Sequence, residues 1–178
     1  MRNPVLLSAM ALGASILTFP IVASAELPKS VKTTMPDVDT VGKGRLNYLI
    51  WDVYDAELFA PQGHWAPGKP LALKLSYLMD LKGADIASRS VEEMRKIGFN
   101  DELMLATWHD QMRKIFPNVG SGDALIGVYA PDGETQFYHN NTLIGTVKDP
   151  EFGKYFFGIW LDEKSSEPGL RKQLLGLR

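Results

Sequence analysis

Two arginines are the side chains of this sequence best suited to recognising an anion. Arg89 lies in a segment with helical spacing, together with Glu92 and Glu93. Because Arg89 and Glu93 are four residues apart, they share one side of a helix and can pair at its surface. The alternative is that Arg89 lies over a cleft and offers its planar donor fork to a ligand carboxylate. Arg45, at the start of the first strand-like segment, has the same two interpretations.

Aromatic side chains are the second chemical signal, and they occur in strand-like and helix-like segments alike. Most of them are expected to fill the interface between a sheet and its helices, since large aromatic side chains dominate such cores. A minority are expected to line an apolar pocket between these layers, where small ligands usually bind.

Several kinds of chemistry are absent from the sequence. The chain has no cysteine, which excludes a thiolate nucleophile, cysteine-ligated zinc and disulfides. Its three histidines, His64, His109 and His139, lie in separate segments without metal-ligand spacing, so no metal site is predicted. Nineteen basic against 21 acidic residues give a formal charge of −2, which disfavours nucleic-acid binding. The sequence carries no signature of an oligomeric state.

Residues 1–25 have the pattern of a signal peptide. Arg2 supplies a positive start, residues 5–22 form a mostly apolar run, and Ala23-Ser24-Ala25 fits the small-x-small rule for signal peptidase. We therefore expect cleavage after Ala25 and export to the periplasm, with an uncleaved membrane anchor as the alternative. No later segment contains the roughly 18 uninterrupted apolar residues of a membrane span, so no stable span is expected after cleavage.

Residues 26–178 are predicted to form one α+β domain. The domain begins with a polar arm, residues 26–40, which is followed by a break marked by glycines at 41–44. The next segment, residues 46–59, is rich in aromatic and β-branched residues and predicts one long strand or a bent strand pair. Further strands are predicted at 71–78, 124–129, 135–138 and 143–147. Helices are predicted to start at Asp85, at Asn100 or Asp101, at Asp149-Pro150 and at Ser166-Glu167-Pro168. This grouping predicts an antiparallel sheet with helices packed on one face.

Motifs spread over residues 41–176 carry a family resemblance. They comprise Gly42-Lys43-Gly44-Arg45-Leu46, residues 51–61 and 88–94, Trp108, residues 115–117 and 122–123, Phe137-Tyr138, Ile144-Gly145, and residues 149–152, 156–161 and 170–176. Together they resemble the bacterial branch of the chalcone isomerase-like family. The resemblance implies an open-faced β-sandwich, in which a cleft separates an antiparallel sheet from helices on one side.

The resemblance does not carry over the catalytic pattern of the plant enzymes, which cyclise a chalcone to a flavanone. The family's catalytic tyrosine falls on Ile86, its lysine on Arg89, its asparagine on Glu93 and its strand threonine on Leu49. Of these four positions, only the lysine position keeps its chemical character, since Arg89 is also a cation. Arg45 is the nearest candidate for the family's arginine. We therefore expect a binding cavity that lacks the hydroxyl groups needed to activate a ketone, rather than an active site.

Other branches of this fold look like binders, of fatty acids in plants and of haem in fungal mitochondria. By resemblance to them, we expect a periplasmic, non-catalytic protein that binds a small apolar or amphipathic ligand, fatty acid-like or haem-like, in the sheet–helix cleft. Arg45 or Arg89 would face an anionic head group of the ligand, and Tyr54, Tyr77 and Trp108 would form part of the wall of the cleft.

Two other functions remain open from the sequence. The first is an isomerase or intramolecular lyase acting on an α,β-unsaturated carbonyl, using Arg89 and a tyrosine. The second is a partner-binding accessory protein, which an exposed apolar patch near Phe156, Phe157 and Trp160 would favour.

Overall fold

Six antiparallel strands lie side by side in chain order, β1 to β6. The computed structural model describes residues 26–177, and the predicted signal peptide, residues 1–25, lies outside the described residues. The strands are β1 (Val38–Tyr48), β2 (Trp51–Pro61), β3 (Leu71–Tyr77), β4 (Ala124–Tyr129), β5 (Thr135–His139) and β6 (Thr142–Val147). The helices are α1 (Lys29–Thr34), α2 (Gly83–Lys96), α3 (Glu102–Ile115), α4 (Pro150–Leu161) and α5 (Pro168–Leu174). No helix within this described range is both long and apolar enough to cross a bilayer.

The main hydrophobic core lies between the sheet and helices α2 to α5. Alternate residues of β3, from Leu71 to Tyr77, point into it, as their period-two pattern predicts. Buried residues of all four helices belong to the same core, including Met94, Trp108, Phe152 and Leu170. The predicted α+β class and the packing of these helices on one face of an antiparallel sheet are therefore confirmed.

The other face of the sheet carries a smaller apolar cluster that the sequence did not predict. Val31 of α1 packs there with Ala72, Ile126 and Val128, whose side chains alternate with those of the main core. The helix has only six residues in an otherwise polar arm, too few to show a helical apolar period.

Polar side chains begin two helices as their sequence positions predict. Asp101 accepts hydrogen bonds from the amides of Leu103 and Met104 at the start of α3, and Asp149 accepts one from Glu151 at the start of α4. Helix α2, in contrast, begins at Gly83 rather than at the predicted Asp85, which lies in its first turn.

The predicted run at 46–59 contains the end of β1 and most of β2, so it forms a pair of strands, and the predicted break at 41–44 lies inside β1. Gly42 and Gly44 are needed because α5 crosses the strand closely. A Cβ on Gly42 would lie 2.3 Å from the carbonyl oxygen of Gln173, and one on Gly44 would lie 2.7 Å from Leu170. These glycines thus mark a close approach between helix and strand rather than a turn.

Candidate functional site

A cavity of about 450 Å³ lies between the helix-facing side of the sheet and helices α2 and α4. Its volume falls within the roughly 300–1,000 Å³ range of small-molecule sites. The wall is mainly apolar, from residues of β1 to β5 and of the helical layer, including Leu46, Val53, Leu73, Leu75, Leu81, Ile86, Phe116, Leu125, Phe137, Phe156, Ile159 and Trp160. Five exposed wall residues, Tyr48, Asp85, Arg89, Ser166 and Glu167, mark its mouth.

Two buried tyrosines bring hydroxyl groups to this wall. Tyr54 of β2 and Tyr77 of β3 are directly opposite in the strand register, and their rings meet edge to face with centroids 5.8 Å apart. The Tyr54 hydroxyl oxygen accepts a hydrogen bond of 2.9 Å from the indole N–H of Trp160, so its own proton can be donated elsewhere. The Tyr77 hydroxyl has no hydrogen-bond partner among residues 26–177.

Burial fixes the protonation state of both tyrosines. Desolvation raises the pKa of each hydroxyl well above its ordinary value of 10.0, because the charged phenolate is disfavoured away from water. Both groups are therefore neutral hydrogen-bond donors at neutral pH. Ile86, at the position of the family's catalytic tyrosine, adds an apolar side chain to the wall, and Tyr54 and Tyr77 line the same cavity from the strands. The absence of the hydroxyls that activate a ketone stays a prediction.

Arg89 and Glu93 form the charged part of the wall. The pair predicted for Arg89 on the helix surface is present, whereas its recognition of a ligand carboxylate stays a prediction. The Arg89 Nη2 atom lies 2.7 Å from Glu93 Oε1, as the spacing of four residues predicts, and Nη1 lies 3.3 Å from Glu92 Oε2. The guanidinium also lines the cavity, and 57% of the side chain is exposed. Because a guanidinium has five N–H donors, Arg89 retains donors for a further oxygen.

Glu93 is a buried carboxylate held by three partners. Besides Arg89, Lys96 Nζ lies 2.9 Å from Oε1, and the Ser166 hydroxyl donates to Oε2. Burial raises the pKa of Glu93, but the hydrogen bonds from Ser166 and Lys96 and the charges of Arg89 and Lys96 outweigh it, so the pKa lies below its ordinary value of 4.5. Glu93 is therefore ionised at neutral pH and anchors Arg89 at the mouth.

The structure places the two remaining candidate residues away from the cavity wall. Arg45 is on the exposed strand pair, where its guanidinium binds Asp55 through Nε at 2.6 Å and Asp52 through Nη1 at 2.7 Å. Trp108 is buried between α3 and α4, stacked on Phe99 at 4.5 Å and donating to Asp149 Oδ2 at 3.0 Å. Of the five candidates, Tyr54, Tyr77 and Arg89 come together on one wall; Arg45 and Trp108 have structural partners instead.

Sequence reasoning named Trp160 in a surface patch that would favour partner binding, and gave Ser166 and Glu167 only the start of a helix. Trp160 lines the cavity and positions the Tyr54 hydroxyl. The sequence shows that Trp160 lies on the aromatic stripe of α4, but such a stripe does not distinguish residues of the core from residues that line a cavity. Ser166 and Glu167 reach the mouth from the segment between α4 and α5, and only the tertiary fold brings them there.

Phe156, Phe157 and Trp160 do not form the exposed apolar patch that would favour a partner-binding function, because all three side chains are buried in the main core. The most exposed apolar side chains of the described residues lie instead in the β1–β2 turn.

Haem iron can be held by histidine, methionine or tyrosine. Within the described part of the chain none of His64, His109 and His139 lies on the cavity wall, whereas Met79, Tyr54 and Tyr77 do. A haem-like ligand stays a prediction from the sequence. Residues 26–177 also contain no group of three or more His, Cys, Asp or Glu side chains placed to hold a metal ion.

Comparisons with known proteins agree with this architecture. A family model described as chalcone isomerase-like matches residues 21–176. Among solved structures, the chain is similar to a fatty-acid binding protein of Arabidopsis thaliana, with a TM-score of 0.60 and 14% identity over 78% of this chain and 87% of the other. At that identity the likeness shows a shared fold. A search of curated proteins found no significant match.

Proposed function

This chain belongs to the chalcone isomerase-like family, and on that premise we propose that it is an exported, non-catalytic protein that binds a fatty acid-like amphipathic ligand in the cavity. The observation that carries the proposal is a wall that is mainly apolar, with hydrogen-bond donors gathered at one part of it. These donors are Tyr54, Tyr77 and Arg89, and the polar residues beside them on the wall are Asp85, Ser90, Glu93, Ser166 and Glu167. A fold shared with a fatty-acid binding protein supports the same ligand class.

The ligand's apolar chain would lie against the leucines of β3 and β4, such as Leu73, Leu75 and Leu125. Its oxygen atoms would take the free donors at this part of the wall. Tyr77 supplies a hydroxyl with no other partner in the described chain, and this hydroxyl can donate a hydrogen bond to a ligand oxygen. Arg89 would share its remaining donors with a head group near the mouth.

The binding test is a titration of the purified protein with palmitate and with a fluorescent long-chain fatty acid. We expect saturable binding at one ligand per chain with a Kd in roughly the micromolar range. Ser90→Leu adds an apolar side chain on the cavity wall and should weaken binding, whereas Ser88→Leu, on the exposed side of the same helix, should not. Absence of saturable binding, or equal loss in both variants, would contradict the proposal.

Export is supported by the signal-like pattern of residues 1–25. Mass spectrometry of the protein recovered from the periplasm should find Glu26 as the first residue. An intact Met1 on the recovered protein would contradict cleavage after Ala25.

One observation favours a second candidate function, an isomerase acting on an α,β-unsaturated carbonyl. Two neutral tyrosine hydroxyls and Arg89 share one wall, and donors of this kind can stabilise the developing enolate oxygen of an intramolecular addition. The discriminating assay follows the absorbance of a chalcone. Turnover well above background that is lost in both Tyr77→Phe and Arg89→Ala would establish this function in place of the first.

A further inference from the structure

The turn between β1 and β2 is an exposed apolar tip formed by Tyr48, Leu49, Ile50 and Trp51. Leu49 and Ile50 are 83% and 87% exposed, and Tyr48 and Trp51 are 66% and 59% exposed. Scattered exposed apolar residues are ordinary, but four consecutive large ones at the apex of a hairpin form a patch that stability does not explain.

The polarity of this hairpin changes in layers from the apex inward. Two aliphatic side chains, Leu49 and Ile50, form the apex, and the aromatic pair Tyr48 and Trp51 lies opposite in the register below it. The next pair is polar, with the Asn47 amide donating to the Asp52 carboxylate. The order of hydrocarbon, aromatic and polar layers matches the depth profile of a bilayer surface, where Trp and Tyr gather at the interface.

The backbone of the tip is costly for the protein. Leu49 has a φ of 55°, in the left-handed region where two-residue hairpin turns usually place Asn or Gly. Such a conformation costs a non-glycine residue of the order of 1 kcal/mol or more. Because Leu49 and Ile50 are so exposed, packing within the protein recovers little of this cost. A strained turn that displays two aliphatic side chains indicates a binding role.

The tip adjoins the mouth of the cavity. Tyr48 belongs to both, and Leu46 and Val53 of the same hairpin continue the wall inward. We propose that the hairpin tip docks reversibly into the interface of a lipid bilayer and brings the cavity mouth to the membrane surface. Docking goes beyond the proposed ligand binding and does not depend on it, because the tip is exposed whether or not the cavity is filled.

The charges near the tip and mouth point to a zwitterionic surface rather than an anionic one. Arg45 is already paired with Asp52 and Asp55. At the mouth, Arg89 is paired with Glu92 and Glu93, and Asp85 and Glu167 add negative charge. Docking should therefore depend on apolar insertion and persist at high salt. A protein partner is the weaker alternative, since four side chains offer less than the roughly 800 Å² per partner that a stable protein interface buries.

The test is co-sedimentation of the protein, as processed by the expressing cell, with phosphatidylcholine vesicles. The double variant Leu49→Asn, Ile50→Gly creates a favoured Asn-Gly turn and should keep the fold, which circular dichroism checks. We expect its partition coefficient to fall roughly tenfold or more, from the loss of two inserted aliphatic side chains. The matched control is Leu103→Gln, which removes a 78% exposed leucine at the start of α3 and should bind as the unaltered protein does.

A second measurement does not depend on the double variant. Lipids brominated on the acyl chain should quench the fluorescence of Trp51 in the unaltered protein, and Trp51→Phe should remove the quenched component. Equal binding of the double variant and the unaltered protein, no quenching of Trp51, or a tip-dependent dimer in the absence of vesicles would each overturn the proposal. Fatty-acid titration of the double variant separates the two proposals, because docking can fail while cavity binding remains.

Discussion

Replacing Glu93 with glutamine is expected to destabilise the protein by about 1–3 kcal/mol at neutral pH. The carboxylate is buried and receives Arg89, Lys96 and Ser166. Glutamine keeps the shape of the side chain but removes its charge, and its amide N–H₂ faces donors where a carboxylate oxygen had accepted. The substitution therefore isolates the electrostatic contribution of this cluster with little change in packing.

The exposure of the cationic partners determines the size of the effect. Breaking a fully buried ion pair typically costs about 3–5 kcal/mol, because the remaining charge is left in a dry interior. Here the side chains of Arg89 and Lys96 are 57% and 50% exposed, so water can solvate them once Glu93 loses its charge. The expected loss of stability is therefore the smaller one, about 1–3 kcal/mol, which is equivalent to a fall in Tm of roughly 2–12 °C for a protein of this size.

The same argument predicts how the effect varies with pH. The pKa of Glu93 in the folded protein lies below its ordinary value of 4.5, so folding favours the ionised form. The stabilisation is complete above that ordinary value and is lost as the pH falls through the lower folded-state pKa. The difference in Tm between the unaltered protein and Glu93→Gln should therefore be constant from pH 7 to about 5 and shrink toward zero in more acidic solution.

Thermal unfolding followed by circular dichroism from pH 7 to pH 3 measures both predictions. The control is Glu92→Gln on the same helix, since Glu92 is exposed and its contact with Arg89 is longer, at 3.3 Å. Its effect should stay within about 0.5 kcal/mol, as is usual for exposed pairs. Equal effects of the two substitutions at pH 7, or a Glu93→Gln effect that does not diminish with acid, would refute the assignment of Glu93 as the anchor of the charged wall.

Three further outcomes follow from the structure. Ser90→Leu should raise Tm relative to Ser88→Leu in thermal unfolding, because Ser90 donates only to a carbonyl of its own helix and leucine would fill part of the cavity. Asp149→Ala should lower the free energy of unfolding, measured in urea, by about 1–3 kcal/mol, since it removes both the cap of α4 and the acceptor of the Trp108 indole N–H. Tyr77→Phe should leave Tm within about 2 °C, because no described partner loses a hydrogen bond, while calorimetric titration should show weaker palmitate binding.

The sheet and its main helical layer could be predicted because alternation and helical spacing are local properties of the chain. The glycines of β1 show where local information ends. Gly42 and Gly44 read as a break in the sequence, yet they allow α5 to cross the strand at short distance. A glycine that permits a close approach and one that permits a turn have the same sequence signature, and only the partner backbone distinguishes them.

The sequence likewise predicted only some of the residues that line the cavity. Tyr54 and Tyr77 follow from strand alternation once the sheet face is known, and they do line the cavity. Trp108 and Trp160 are both on apolar stripes of helices, but Trp108 packs between α3 and α4 whereas Trp160 reaches the cavity. The packing of several helices decides which residue of an apolar stripe borders the cavity. The spacing of residues along one helix does not contain this information.

The most direct test of the account is to locate a bound fatty acid on the chain. A long-chain fatty acid carrying a diazirine at mid-chain would be bound, irradiated, and its adducts mapped by peptide mass spectrometry. We predict adducts on β3 and β4, at residues such as Leu73, Leu75 and Leu125, that disappear when excess palmitate competes. Adducts confined to the hairpin tip or to other surface residues, or insensitive to palmitate, would contradict ligand binding in the cavity.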